Sequence, residues 1–191
     1  MKRILLLAVL FIPGFAAAED RKDGVSTSGK IGWHVVETKE AADVLISEAD
    51  QGESAAQKLC GVISVANTKV TVSPDDSWVV VQSGGPSLGV SLKVFRRENG
   101  MIYAEQKSMD IGGTVLLAAC GGDAKKAEST SHLYTHALNW SADSKWLLVE
   151  ISARGGEKEV KSFVAIYDLA SGKVGFDLEK FNGGGVRGKA H

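Results

Sequence analysis

Short apolar runs separated by turn-forming residues dominate the second half of this chain. Gly, Ser and Asp fill the gaps between the runs, which is typical of strands joined by tight turns. The pattern therefore predicts an antiparallel β-meander between residues 135 and 178. Its four runs occupy residues 137–140, 146–151, 163–169 and 174–178.

The same pattern occurs once more upstream, in residues 70–106. A turn that begins with Ser and reaches Asp75 and Trp78 aligns with a turn that reaches Asp143 and Trp146. An Asp side chain can accept hydrogen bonds from backbone N–H groups just after it, and a Trp covers a large apolar area at the strand end. We therefore interpret these four residues as turn-forming and packing groups, in preference to acid–base or metal-binding groups.

These two segments resemble the WD-repeat-like blades of bacterial periplasmic β-propellers, such as the propeller of the Tol translocation system. The resemblance covers less than half of the chain. The first copy departs from it with Arg96 and Arg97 where the pattern has Asp-Leu, and the second has Ala142 where the pattern has Pro. The resemblance implies a supersecondary unit and no particular activity, because propellers serve many functions.

The predicted fold class is mainly β, with antiparallel meander sheets that resemble propeller blades. Only two blades are legible, so the sequence does not predict a ring closed within one chain, and an incomplete propeller is the alternative. A blade needs a neighbour to cover its apolar faces. Three candidates could supply that neighbour: residues 31–66, the run Ile111–Ala119, which is predicted to be a strand, and a second copy of the chain.

The first eighteen residues have the pattern of a secretory signal peptide. Lys2 and Arg3 precede an apolar run over residues 4–12, and small residues lead to a predicted cleavage site between Ala18 and Glu19. The apolar run is shorter than the roughly 20 residues that a membrane-spanning helix needs. We therefore expect a periplasmic or secreted protein that does not span the membrane after cleavage.

The rest of the chain is predicted to form one β domain over residues 31–180. Residues 19–30 are polar and predict a flexible N-terminus, and residues 181–191 predict a Gly-rich tail. Residues 31–49 favour two strands, although a helix over residues 39–48 is also compatible with their composition. The polar stretch 121–131 predicts a loop that is solvated or disordered, with a binding contact as the alternative.

The charge balance excludes one class of partner. The formal net charge of the whole chain is −1, and loss of Lys2 and Arg3 with the signal peptide makes it −3. A nucleic-acid surface needs a basic patch, so nucleic acid is not expected as a partner.

No motif predicts a cofactor, a metal or a catalytic group. His132 and His136 have helical metal-ligand spacing, but they fall in a predicted strand, where four residues span about 13 Å. His34 is not arranged with them by any pattern. We therefore predict no zinc site.

The two cysteines, Cys60 and Cys120, leave two alternatives open. An oxidising compartment favours a disulfide between them. Both also lie in apolar runs, where a free Cys is an ordinary small core residue.

Two functional hypotheses follow. The first is a non-catalytic interaction or scaffold protein whose partner is a protein or a cell-envelope polymer, with self-association as a variant. The second is an envelope hydrolase or carbohydrate-active enzyme on the same sheets, which would need two carboxylates about 5–10 Å apart. The carboxylates available for that role are Glu37, Asp43, Glu48, Asp110 and Glu150.

Overall fold

The computed structural model describes residues 20–155 and 159–182, which form three consecutive four-stranded antiparallel meanders, here called blades 1 to 3. Blade 1 comprises β1 (Arg21–Val25), β2 (Ile31–Glu37), β3 (Ala42–Glu48) and β4 (Gln57–Val62). Blade 2 comprises β5 (Thr68–Val72), β6 (Trp78–Gly85), β7 (Gly89–Asn99) and β8 (Ile102–Glu105). Blade 3 comprises β9 (His132–Trp140), β10 (Trp146–Arg154), β11 (Val160–Asp168) and β12 (Val174–Gly175).

The fold is mainly β, as predicted, and its helices are short. A single 3-10 turn, Glu53–Ala55, lies between β3 and β4. Two helices connect blade 2 to blade 3, and a third follows β12: α1 (Ile111–Ala119), α2 (Ala124–Glu128) and α3 (Leu178–Phe181). Across the described ranges, no helix combines the length and the apolar character that crossing a bilayer requires.

The same six-residue turn joins the first and second strands of every blade. These serine turns occupy residues 26–31, 73–78 and 141–146. In each, the first and sixth residues pair through backbone N–H and C=O groups, and the Ser hydroxyl accepts the N–H of the sixth residue. The fourth residue has a positive φ in all three: 76° at Gly29, 60° at Asp76 and 61° at Ser144. Blade 1 is therefore a third copy of the repeat.

The register of the strands confirms the alignment of the two predicted repeats. Trp78 lies opposite Arg96 in blade 2, and Trp146 lies opposite Asp168 in blade 3. The repeat in blade 1 was not predicted from the sequence, because Ile31 stands where the other copies have Trp and its turn lacks the Asp. What the copies share is a Ser and a backbone conformation, which is a weak signal in a sequence.

Blade 2 is packed on both of its faces. Successive side chains of a strand point to opposite faces, so Val79 and Val81 face blade 1, whereas Val80 faces blade 3 and α1. Two separate apolar clusters result, one on each side of blade 2. Within the described part of the chain, the strand pairing does not close into a barrel.

The serine turns of neighbouring blades contact each other. The Ser28 hydroxyl donates to Asp76 Oδ2 at 2.6 Å, which joins blade 1 to blade 2. The Asp75 N–H donates to Ser144 Oγ at 3.0 Å, which joins blade 2 to blade 3. In both cases the third residue of one turn donates to the fourth residue of the next, so the blades repeat in their stacking as well as in their internal structure.

Three sequence predictions are corrected by the structure. The segment 19–30, predicted to be flexible, contains β1, which pairs along its whole length with β2. Residues 121–131, predicted to be a loop, contain α2. The run Ile111–Ala119, predicted to be a strand, is helix α1.

Capping and packing explain why α1 is helical. The Asp110 carboxylate accepts the N–H of Gly113 at 2.9 Å, which satisfies one of the free donors of the first turn. Ile111, Val115 and Leu116 are buried against blades 2 and 3. A short run that is apolar on all sides does not distinguish a helix from a strand, so its neighbours decide.

The predictions for the remaining segments are either confirmed or concern residues outside the described ranges. Residues 31–49 form the strands β2 and β3, as favoured. The predicted signal peptide with its cleavage site between Ala18 and Glu19 lies outside the described residues, as does most of the predicted Gly-rich tail.

Candidate functional site

The two ends of the blades differ in their connections. The serine turns lie at one end, the turn end. The hairpin loops β2–β3 and β6–β7 lie at the opposite end, the loop end, together with the end of β10, the start of β11 and the long connection that carries α1 and α2. Binding residues are commonly carried on loops that a rigid scaffold positions, so the loop end is where a site is expected.

A cavity of about 690 Å³ opens at the loop end and is lined by all three blades. We call it the loop-end groove. Its volume lies within the range of about 300–1,000 Å³ that is usual for ligand sites. The lining residues that bear on its chemistry are Glu40, Ile63, Leu88, Lys93 and Asp110.

Glycine allows a close strand contact in the lining of this groove. Gly89 has a φ of +79°, and a Cβ at this position would lie 2.5 Å from the carbonyl oxygen of Leu133. At this point β7 meets β9, where Val90 pairs in parallel with Tyr134. A larger residue at Gly89 would be strained and would separate blades 2 and 3.

The groove brings together few groups that could perform acid–base chemistry. Of the five predicted carboxylates, Asp110 alone lines it, and its Oδ1 is engaged in capping α1. Glu40, which sequence analysis did not single out, lines it from the β2–β3 loop. The other four carboxylates have partners elsewhere: Glu37 with the Asp20 N–H, Asp43 with Lys58, Glu48 with Gln51 and Glu150 with Ser162.

The predicted turn aspartates lie at the turn end, away from the groove. Asp75 Oδ1 accepts from the hydroxyls of Ser73 at 2.7 Å and Ser77 at 2.6 Å. Burial raises the pKa of Asp75, but these hydrogen bonds outweigh it and hold the pKa below the ordinary value. The same balance lowers the pKa of Asp143, which accepts from Ser141.

The repeated tryptophans are partly buried and have different neighbours across the strand. The Arg96 guanidinium lies 5.5 Å from the ring centroid of Trp78, within range of a cation–π interaction. The residue opposite Trp146 is Asp168, whose Oδ1 accepts the N–H of Ala170 at 2.9 Å. The departure of Arg96 from the blade pattern thus places a cation where the other copy has a carboxylate.

The structure does not bring Cys60 and Cys120 together. Cys60 belongs to the cluster between blades 1 and 2, and Cys120 ends α1 in the cluster between blades 2 and 3. Both thiols are free and buried. Burial also raises the pKa of the Cys60 thiol, which disfavours the reactive thiolate. Of the two alternatives, the structure shows the free core cysteine.

The histidines are dispersed over two blades. His132 and His136 both lie on β9, in a strand as predicted. In the described ranges, no group of three His, Cys, Asp or Glu side chains is placed to hold a metal.

His34 lies in an ionic network on the outer face of blade 1. Its Nδ1 is 2.7 Å from Asp23 Oδ1 and 3.1 Å from Arg21 Nη2. The hydrogen bond from Arg21 is the main cause of the lowered pKa of Asp23. No sequence pattern indicated this network, because β1, which supplies Arg21 and Asp23, was predicted to be flexible.

Comparisons with known proteins give distant structural similarity. No family model matches the chain, and no curated protein matches it. Among solved structures, TolB from Acinetobacter baumannii is similar over 78% of this chain and 30% of its own, with a TM-score of 0.44 and 15% identity. A structure from a study of two prolyl endopeptidases is similar over 81% of this chain and 21% of its own, with a TM-score of 0.41 and 14% identity. The chain thus spans less than a third of the length of either.

Proposed function

We propose that this chain is an exported, non-catalytic interaction module that binds a protein or cell-envelope polymer in the loop-end groove. The observation that carries the proposal is the construction of that groove, to which all three blades and α1 contribute. A site built from several stacked units is formed only by the folded domain, which gives a partner a defined surface to recognise.

Export rests on the sequence of residues 1–18, whose charged start, apolar run and small-residue end match a secretory signal peptide. A periplasmic or secreted location follows from it. We also infer that the blades are of the WD-repeat-like, Tol-type kind, on the strength of the repeated serine turns and the tryptophans of blades 2 and 3.

Exposed apolar side chains at the groove support binding rather than acid–base catalysis. Leu88 is 73% exposed and Ile63 is 55% exposed, and both line the groove. When a partner covers large apolar side chains that were exposed to solvent, their burial stabilises the complex. Asp110, the one predicted carboxylate in the groove, is already occupied with the cap of α1.

The test is capture of a partner from cell-envelope extract by wild-type and variant proteins. Ile63→Asp with Leu88→Asp places charge in the groove and should abolish capture. The matched control is Val25→Asp with Ile102→Asp, which changes two side chains of 60% and 56% exposure at the turn end. Equal capture by both double variants would refute the assignment of the groove.

The alternative, a hydrolase or carbohydrate-active enzyme, would use the carboxylates of the groove. Asp110 and Glu40 both line it, which is the observation in favour of this alternative. Hydrolysis of an envelope glycan that is lost in both Asp110→Asn and Glu40→Gln would establish it in place of the binding module.

A further inference from the structure

Two adjoining cavities at the loop end form a second groove beside the first strands of the blades. Their volumes are about 540 and 280 Å³, and they share Pro86, Tyr134 and His136 as lining residues. We call this surface the cationic groove, because its ionisable lining residues other than Tyr134 are all basic: Lys22, Lys69, His136 and Arg154.

Backbone carbonyl oxygens hold the two lysines of this groove in place. Lys22 Nζ donates to the carbonyl oxygen of Ala66 at 2.7 Å, and Lys69 Nζ donates to that of Ala137 at 2.8 Å. Each lysine precedes the Ser of its serine turn by four residues, so the two donors occupy equivalent positions in their blades, and Lys22 Nζ also donates to the carbonyl oxygen of Thr68 at 3.2 Å. Carbonyl oxygens orient an ammonium group without neutralising it, so both charges act on the groove.

The hydrogen bonds around His136 determine which ring nitrogen carries a proton. Gln82 Oε1 accepts the N–H of Ala137 at 3.1 Å, so the amide nitrogen of Gln82 is the group 3.1 Å from His136 Nδ1. Nδ1 therefore accepts, and the neutral ring carries its proton on Nε2 as a donor. Arg154, whose side chain is 73% exposed, adds a further cation, which forms a long ion pair with Glu159 (Nε to Oε1, 3.8 Å).

The groove is preorganised and is not purely polar. The Tyr134 hydroxyl donates to the carbonyl oxygen of Pro86, which ties the β6–β7 loop to β9. A ligand would therefore pay little to order this loop. Pro86, Val90 and Tyr134 place apolar surface among the basic groups, and Val90 also lines the loop-end groove, so the two surfaces are continuous.

We propose that the cationic groove binds an acidic peptide segment in which carboxylates alternate with apolar side chains. The basic groups match the carboxylates, and the apolar lining between them matches the alternating side chains. A bare phosphate polymer would leave that apolar lining exposed, so a peptide is the better match. The inference deepens the proposed function, on which it rests, by specifying the chemistry of the partner.

A random peptide display selection against the purified chain tests the inference. The selected peptides should be enriched in Asp and Glu relative to the starting library. A fluorescein-labelled selected peptide should then bind with an affinity that falls as salt rises. It should also lose affinity roughly tenfold when its acidic residues are replaced by Asn and Gln, because charge-assisted hydrogen bonds are lost.

Single substitutions assign the binding to the groove. Arg154→Gln removes an exposed charge without a core contact and should weaken the labelled peptide roughly five- to tenfold. Lys22→Gln, the second variant, removes another charge of the groove and should also weaken binding of the labelled peptide. Lys125→Gln on α2, also an exposed lysine, is the matched control and should bind like the wild type.

Three results would overturn the inference: selected peptides without acidic enrichment, equal binding by Arg154→Gln and the control, or stronger competition by inorganic polyphosphate than by unlabelled peptide. These results are separable from failure of the proposed function. Failure of that proposal appears as equal capture by the loop-end groove variants and their turn-end controls, whatever the peptide selection shows.

Discussion

The hydroxyl of Ser73 is the group on which the serine turn of blade 2 depends most directly. Ser73 is fully buried. Its Oγ donates to Asp75 Oδ1 at 2.7 Å and accepts the N–H of Trp78 at 3.0 Å. Ser73→Ala removes both hydrogen bonds and leaves the Trp78 N–H without its acceptor, with little change in volume.

The expected loss of stability follows from these two bonds. A typical intramolecular hydrogen bond contributes about 1 kcal/mol net, and one to a charged acceptor contributes about 1.5–3 kcal/mol. We expect Ser73→Ala to lower the free energy of unfolding by about 2.5–4 kcal/mol. In a domain of this size, that corresponds to a fall in the melting temperature of roughly 5–16 °C.

The three serine turns provide a graded comparison. Ser141 makes the equivalent bonds to Asp143 at 2.9 Å and from the Trp146 N–H at 2.9 Å, so Ser141→Ala should cost about as much. Ser26 accepts the Ile31 N–H at 3.2 Å, but its second bond is to the neutral hydroxyl of Ser28 and not to a carboxylate, so Ser26→Ala should cost less, about 2 kcal/mol.

Urea unfolding followed by tryptophan fluorescence and by circular dichroism measures these differences. Ser87→Ala, at an exposed position of the β6–β7 loop, is the control and should stay within about 0.5 kcal/mol of the wild type. A Ser73→Ala variant as stable as this control, or a Ser26→Ala variant that is the most destabilised of the three, would refute the role given to the serine hydroxyls.

Four further predictions follow from single residues. Gly89→Ala should destabilise the fold by about 2 kcal/mol or more in urea unfolding, because of the positive φ and the nearby carbonyl; a neutral result would contradict the close β7–β9 contact. Cys60 and Cys120 should both react with a thiol reagent after unfolding and resist it before, and an unreactive unfolded protein would indicate a disulfide. Burial raises the pKa of Tyr103 to about 12, so its contribution to stability is complete below about pH 10 and is lost as the pH rises through 12. An ultraviolet titration in which the Tyr103 phenol ionises near pH 10 would refute this. The lowered pKa of Asp75 contributes stability above about pH 4 that is lost on further acidification, so Asp75→Asn should show a weaker dependence of unfolding free energy on pH in that range.

The serine turns of blades 2 and 3 could be predicted from the sequence because their hydrogen bonds are local. In blades 2 and 3 a Ser, an Asp and a Trp within six residues make hydrogen bonds mainly to one another, so their spacing alone predicts the turn and the strands around it. The alternating apolar runs of β6 and β10 likewise follow from residues adjacent in the chain.

Blade 1, α1 and the two grooves were decided by tertiary structure. β1 is polar and becomes a strand because β2 pairs with it, and α1 is a helix because its cap and the apolar faces of blades 2 and 3 accommodate one. Cys60 and Cys120 lie in different clusters because blade 2 stands between them. The grooves gather residues from distant parts of the chain, and no local pattern records which side chains the stacking of blades will place together.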